Sequence, residues 1–176
     1  MRAFIALDLG DPLRAALADL AGEARAGRAV PEENLHLTLA FLGEIDDAQA
    51  QAMHEALTGL GLPEVALNLA GLEIWGQAGV AVIRAEADPG LLRLEKAVSK
   101  AARLAQIPLD RRRFRPHVTL LRLGRADPER LAPWLMARGA VRLPEAHPEG
   151  IVFVRSQLHP DGARHEILAD YPLGAT

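Results

Sequence analysis

With 176 residues, no cysteine, 49% hydrophobic and 24% charged positions and a net charge of −3, the chain suits one globular unit and excludes disulfides, thiolate nucleophiles and cysteine-based zinc sites. A pI near 6.1 argues against a surface that coats nucleic acid, although it leaves room for a local basic patch. No apolar run approaches the roughly 20 residues of a membrane-spanning helix, and the opening MRAFIALDLG is a short apolar segment broken by Asp8; neither a span nor a secretory leader is expected, and the expected location is cytoplasmic.

In chain order, RAFIALD (2–8) reads as a strand and DPLRAALADLAGEARAG (11–27) as a helix, with Asp11 as its cap and Pro12 at the first helical position. LHLTLAFLG (35–43) reads as a strand, and Asp46 caps a helix over AQAQAMHEALTGL (48–60). EVALNLAGLEIW (64–75) and GVAVIRAE (79–86) are β-patterned around a glycine-containing turn. Asp88, Pro89 and Gly90 open a helix through Leu104, HVTLLRLG (117–124) reads as a strand, and DPERLAPWLMARG (127–139) as a helix begun by Asp127 and Pro128. GIVFVRSQL (150–158) and ARHEILADY (163–171) form a closing hairpin across His159-Pro160-Asp161-Gly162.

Six residues recur at a constant offset of 81: His36, Thr38, Leu39, Leu42, Gly43 and Asp46 return as His117, Thr119, Leu120, Leu123, Gly124 and Asp127. Random placement of so few His and Thr residues gives ~0.14 H-x-T pairs, so an internal duplication explains the pair better than chance. The expectation is an α+β fold of two pseudo-symmetric lobes, each an antiparallel-rich sheet with flanking helices, around a central cleft within a single domain over 1–176.

Side chains alternate along a strand, so His36 and Thr38 share one face while Leu37 and Leu39 take the other. If both lobes present their polar pairs to one groove, two imidazoles and two hydroxyls converge. That set suits phosphodiester hydrolysis: imidazoles titrating near neutrality serve as base and acid, and threonine hydroxyls hold phosphate oxygens. The scheme requires no metal or other cofactor, and the chain has no H-x-H or H-E-x-x-H ligand pattern.

At these residues the chain resembles the two-histidine phosphoesterases, and within them the RNA 2′,3′-cyclic phosphodiesterases of the LigT-like, or 2′,5′-RNA ligase, family. The resemblance runs over RAFIAL (2–7), PEENLHLTLAFLG (31–43), FRPHVTL (114–120) with Arg122, and the closing Tyr171-Pro172-Leu173. It implies hydrolysis of a terminal 2′,3′-cyclic phosphate on RNA, such as a tRNA fragment, to a 2′-phosphomonoester. It further implies His36 as proton donor to the leaving 3′ oxygen, His117 as proton acceptor from water, and Thr38 and Thr119 as phosphate ligands. Many relatives carry an aromatic residue near His165, so no role is carried onto that histidine. A monomer is the expected state.

Three other readings stay open from the residues themselves. The site could serve a 2′,5′-RNA ligase or another cyclic-nucleotide phosphodiesterase, it could capture RNA 3′ ends without turnover, or the duplication could have copied a purely structural His–Thr hydrogen bond. His54, His147 and His159 read as solvated. Residues 103–125 hold seven arginines (Arg103, Arg111, Arg112, Arg113, Arg115, Arg122 and Arg125) against Asp110 alone. Such a patch suits RNA phosphates, and the Arg111–Arg113 run reads equally as a phosphate contact or a solvated loop. Arg115, two before His117, shares its face and is the preferred phosphate ligand; Arg122, at an odd offset, faces away unless a bulge intervenes. Trp75 could stack on a base or simply pack.

Overall fold

The computed structural model describes residues 1–174, whose centre is β1 (Arg2–Leu7), five of whose six residues are buried. Its side chains divide between two apolar layers. Ala3, Ile5 and Leu7 join the main core, whereas Phe4 and Ala6 join Val152 and Val154 in a smaller cluster on the opposite face. A strand buried on both faces has no polar alternation, which explains the unbroken apolar run AFIAL (3–7) after the exposed Arg2.

The remaining elements follow in chain order. They are α1 (Asp11–Gly22), the two-residue strand β2 (Arg28–Ala29), a 3₁₀ turn (Glu32–Asn34), β3 (Leu37–Glu44), α2 (Asp47–Thr58), β4 (Leu69–Trp75) and β5 (Val80–Ala85). Then come α3 (Pro89–Leu104), β6 (His117–Arg122), α4 (Asp127–Arg130), α5 (Ala132–Arg138), β7 (Gly150–His159) and β8 (Gly162–Pro172). The strands form one sheet in the order β4-β5-β6-β3-β1-β7-β8, with β2 on β6, and every pairing is antiparallel. The expected α+β architecture with flanking helices is therefore present. Its two lobes are joined edge to edge: β3 meets β6 through the single pair Leu37↔Val118.

The helices cover the main core. In α3 the buried residues Leu91, Leu94, Val98, Ala101 and Ala102 fall on one helical stripe, and α2 contributes Met53 and Leu57. Each such leucine contributes about 1.5–3 kcal/mol relative to exposure. The start of α2 is fixed as expected by Asp46, which accepts from the Gln49 amide at 2.8 Å while the Gln49 side chain accepts from the Asp46 amide at 3.2 Å. No helix among the described residues is long and apolar enough to cross a membrane.

Four boundaries differ from the sequence reading. Gly10, at φ 73°, rather than Asp11, is the N-cap of α1. Asp11 lies in the first turn and pairs with Arg14 at 3.0 Å. That helix also stops at Gly22, because the chain must turn into β2 through Gly27, whose φ of 77° suits glycine and whose absent Cβ would meet Leu123 Cδ2 at 2.9 Å. The single helix expected over 127–139 is two, since Pro133 at the start of α5 has no N–H to carry the α4 ladder onward. The β-pattern over 64–75 forms a named strand only from Leu69, with Leu67 making an isolated bridge to Ala146.

Candidate active site

Both histidines are held at strand entrances in the same manner. His36 Nδ1 lies 2.6 Å from the carbonyl oxygen of Asn34, and His117 Nδ1 lies 2.7 Å from that of Arg115, each two residues earlier in the chain. A carbonyl only accepts, so Nδ1 carries the proton and Nε2 is left for other chemistry in both rings. Asn34 and Arg115 are themselves related by the offset of 81.

Thr38 and Thr119 follow on the same faces. Beyond them each strand bulges at the same place in the repeat. Register against β1 passes from Ala6↔Thr38 to Ile5↔Ala40, leaving Leu39 unpaired, and register against β5 passes from Val82↔Thr119 to Ala81↔Leu121, leaving Leu120 unpaired. Two consecutive buried residues result in each strand, and alternation resumes with its phase shifted. Arg122 is thereby turned to the face of His117 and Thr119, meeting the condition under which its odd offset is compatible with the site. Phe41 is its counterpart in the other lobe.

His36, Thr38, His117, Thr119 and Arg122 line one open hollow of about 480 Å³. Phe4 lies under it, stacked on the His36 ring with centroids 4.7 Å apart and planes at 24°. His165 of β8 enters the same hollow edge-on, 5.3 Å from the His36 ring and 5.0 Å from Phe4. The sequence gives this third imidazole no role, and its one advance signal is an unassigned histidine in the closing hairpin. Arg115 lies elsewhere. It is exposed before the strand begins, with its guanidinium 4.3 Å over the Trp75 ring and 3.8 Å from Glu73, and it borders an adjacent hollow. The Trp75 ring in turn sits 4.3 Å from that of His117.

Burial is the largest influence on all three imidazoles and disfavours their charged forms. His36 is pushed down to about 4, with the Asn34 carbonyl opposing and the charges of His165, Arg122 and His117 adding to the fall. His117 is lowered by burial, against the Arg115 carbonyl and with the Arg115 guanidinium. His165 is lowered by burial and then by Arg122. Among the described residues no three His, Asp or Glu side chains converge as a metal-binding group.

The histidines expected to be solvated are exposed, although His54 Nδ1 is 2.8 Å from the buried Tyr171 hydroxyl and His147 lies 3.3 Å from Glu145.

The model of the family described as LigT-like phosphoesterase matches residues 7–82 and again 83–165. The RNA 2′,3′-cyclic phosphodiesterase of Thermus thermophilus is 32% identical over 98% of this chain and 90% of its own length. A protein of the same name from Geobacillus stearothermophilus is 28% identical over 97% of this chain, which spans 56% of that longer relative. Among solved structures, a Thermus thermophilus protein superposes with a TM-score of 0.79 at 28% identity, covering 98% of both chains. Escherichia coli LigT complexed with phosphate superposes at 0.74 and 26% identity, covering 98% of this chain and 96% of that one.

Proposed function

This chain belongs to the LigT-like phosphoesterases, and on that premise we propose that it hydrolyses the 2′,3′-cyclic phosphodiester at an RNA end to a 2′-phosphomonoester, without a metal, using His36 and His117 as an acid–base pair. The observation that carries the reading is the matched pair of imidazoles, each with Nδ1 tethered to a carbonyl, lining one hollow with two threonines and an arginine. The relatives' shared name and the phosphate complex of the Escherichia coli protein support the substrate class.

In the proposed step, His117 Nε2 takes a proton from water as its oxygen bonds to phosphorus. The bond to the ribose 3′ oxygen breaks, and His36 Nε2 delivers a proton to that oxygen. Thr38, Thr119 and Arg122 hold the non-bridging oxygens, the guanidinium matching their planar spacing. The assignment of donor and acceptor follows the family resemblance. The free site leaves His36 neutral near pH 7; an anionic diester beside it favours the charged form, so substrate binding loads the donor with its proton. Solvent exchange then resets both rings.

The test is a short RNA ending in a 2′,3′-cyclic phosphate, incubated with the protein in chelator, with the phosphate position of the product identified. A 2′-phosphate product is expected. A 3′-phosphate, joining to a 5′-hydroxyl RNA as the dominant outcome, or loss of turnover in chelator would overturn the reading.

A further inference from the structure

Trp75 lies beside the histidine cleft and borders a second hollow. Its ring sits 4.3 Å from that of His117, which lines the cleft, and itself lines a hollow of about 450 Å³ whose rim carries Arg84, Arg113, Arg115 and Arg142. In a chain of net charge −3 this concentration of guanidinium groups calls for an explanation that the cleft chemistry does not supply. Part of the charge is balanced: Arg142 lies 2.6 Å from Glu86, and Arg84 lies 3.0 Å from Glu73. Arg115 reaches Glu73 only at 3.8 Å and spends its planar face on Trp75. Among the described residues no carboxylate lies within ion-pair distance of Arg113, and its exposed neighbour Arg111 adds to the field, whereas Arg112 lies 3.7 Å from Asp110.

We propose that this second hollow is a subsite for the backbone phosphates upstream of the RNA end, holding the first phosphodiester on the 5′ side of the terminal nucleotide. The inference rests on reading the histidine cleft as the site of the cyclic phosphate. An RNA end seated there leaves the cleft with its 5′ continuation, and a strand passing His117 crosses one aromatic ring before it meets the arginines. Guanidinium forks match phosphate oxygens, and such contacts are sequence-independent, so the subsite selects for chain rather than for base. A cyclic mononucleotide has no phosphate to place there and fills the cleft alone.

The test compares kcat/KM for a tetranucleotide ending in a 2′,3′-cyclic phosphate with that for the matching cyclic mononucleotide, in the native protein and in Arg113→Ala, Arg142→Ala and the double variant. The native protein is expected to favour the tetranucleotide by about tenfold or more. The double variant should lose that preference while its mononucleotide turnover stays within about twofold, and Arg113→Ala should reduce the salt dependence by about one unit of slope. Equal native turnover of both substrates, equal loss on both in the variants, or a preference that survives the double substitution would overturn the subsite. If neither substrate turns over, the proposed chemistry fails by itself. The subsite is then read from equilibrium binding of a 3′-phosphorylated tetranucleotide, which the double variant should weaken about tenfold, and unchanged binding would overturn it.

Discussion

His36 and His117 hold the same covalent and hydrogen-bonded pose in two different strands, Nδ1 to the carbonyl oxygen two residues upstream at 2.6 and 2.7 Å. Their environments are unequal. His36 has Phe4 stacked on its ring, His165 beside it and the lower titration point, about 4. His117 has Trp75 and Arg115 as neighbours and a fall whose first cause is likewise burial. The equivalence of pose with inequality of surroundings is what an acid–base pair needs in order to divide its labour.

The proposed mechanism sets a pH dependence. It requires a neutral base and a protonated acid in the free protein, and both imidazoles titrate below the ordinary histidine value. As pH rises kcat/KM gains from deprotonation of the base and then loses from deprotonation of the acid. The bell is therefore expected to peak on the acid side of about 6.5, its two apparent constants belonging to the coupled pair. The kcat profile should lie further to the alkaline side, because the bound anion favours both charged forms. A kcat/KM profile still rising at about pH 8 would contradict this.

Arg122 should matter twice. Replacing it with Gln removes the charge-assisted contact to phosphate proposed for it, which is expected to lower kcat/KM by about 10- to 100-fold. It also removes one of the positive charges that depress His36 and His165. The optimum of the residual kcat/KM should consequently move to higher pH. A pH–rate series on Arg122→Gln checks both effects, and an unshifted optimum would deny its electrostatic part.

The buried imidazole also links stability to pH. His36 is lowered to about 4 in the folded protein, so between about 6.5 and 4 the unfolded chain binds the extra proton. Its contribution is fully present above 6.5 and is lost as pH falls through that window, by at most about 2.5 kcal/mol at pH ~4.5. Urea unfolding at about pH 7.5 and 4.5 should accordingly show a smaller acid loss for His36→Gln than for the native protein. Equal losses would mean that His36 is not held neutral.

The paired H-x-T motifs are legible because a strand of period two translates spacing directly into a shared face, and a constant offset exposes the repeat. Arg122 is harder. The bulges at Leu39 and Leu120 reverse the face count; the second leaves a trace in the adjacent apolar pair Leu120-Leu121 of an otherwise alternating strand, whereas the first is hidden in the continuous apolar run Leu39-Ala40-Phe41-Leu42. Counting back from His117 puts Arg115 on the wall of the cleft, but Pro116 intervenes and β6 begins only at His117, so strand alternation does not extend to it. His165 comes to His36 from 129 residues away through β1 and β7, a relation that no local pattern encodes. The single Leu37↔Val118 pair that fuses two lobes into one sheet is likewise a matter of tertiary assembly.

The most direct measurement is single-turnover hydrolysis of an RNA 2′,3′-cyclic phosphate by the native protein, His36→Ala and His117→Ala, with folding of each checked by its unfolding transition. The account expects each substitution to cost at least about a hundredfold in rate, with the native product a 2′-phosphate. Folded variants that retain most of the native rate would contradict an acid–base pair at His36 and His117, whatever the cleft then binds.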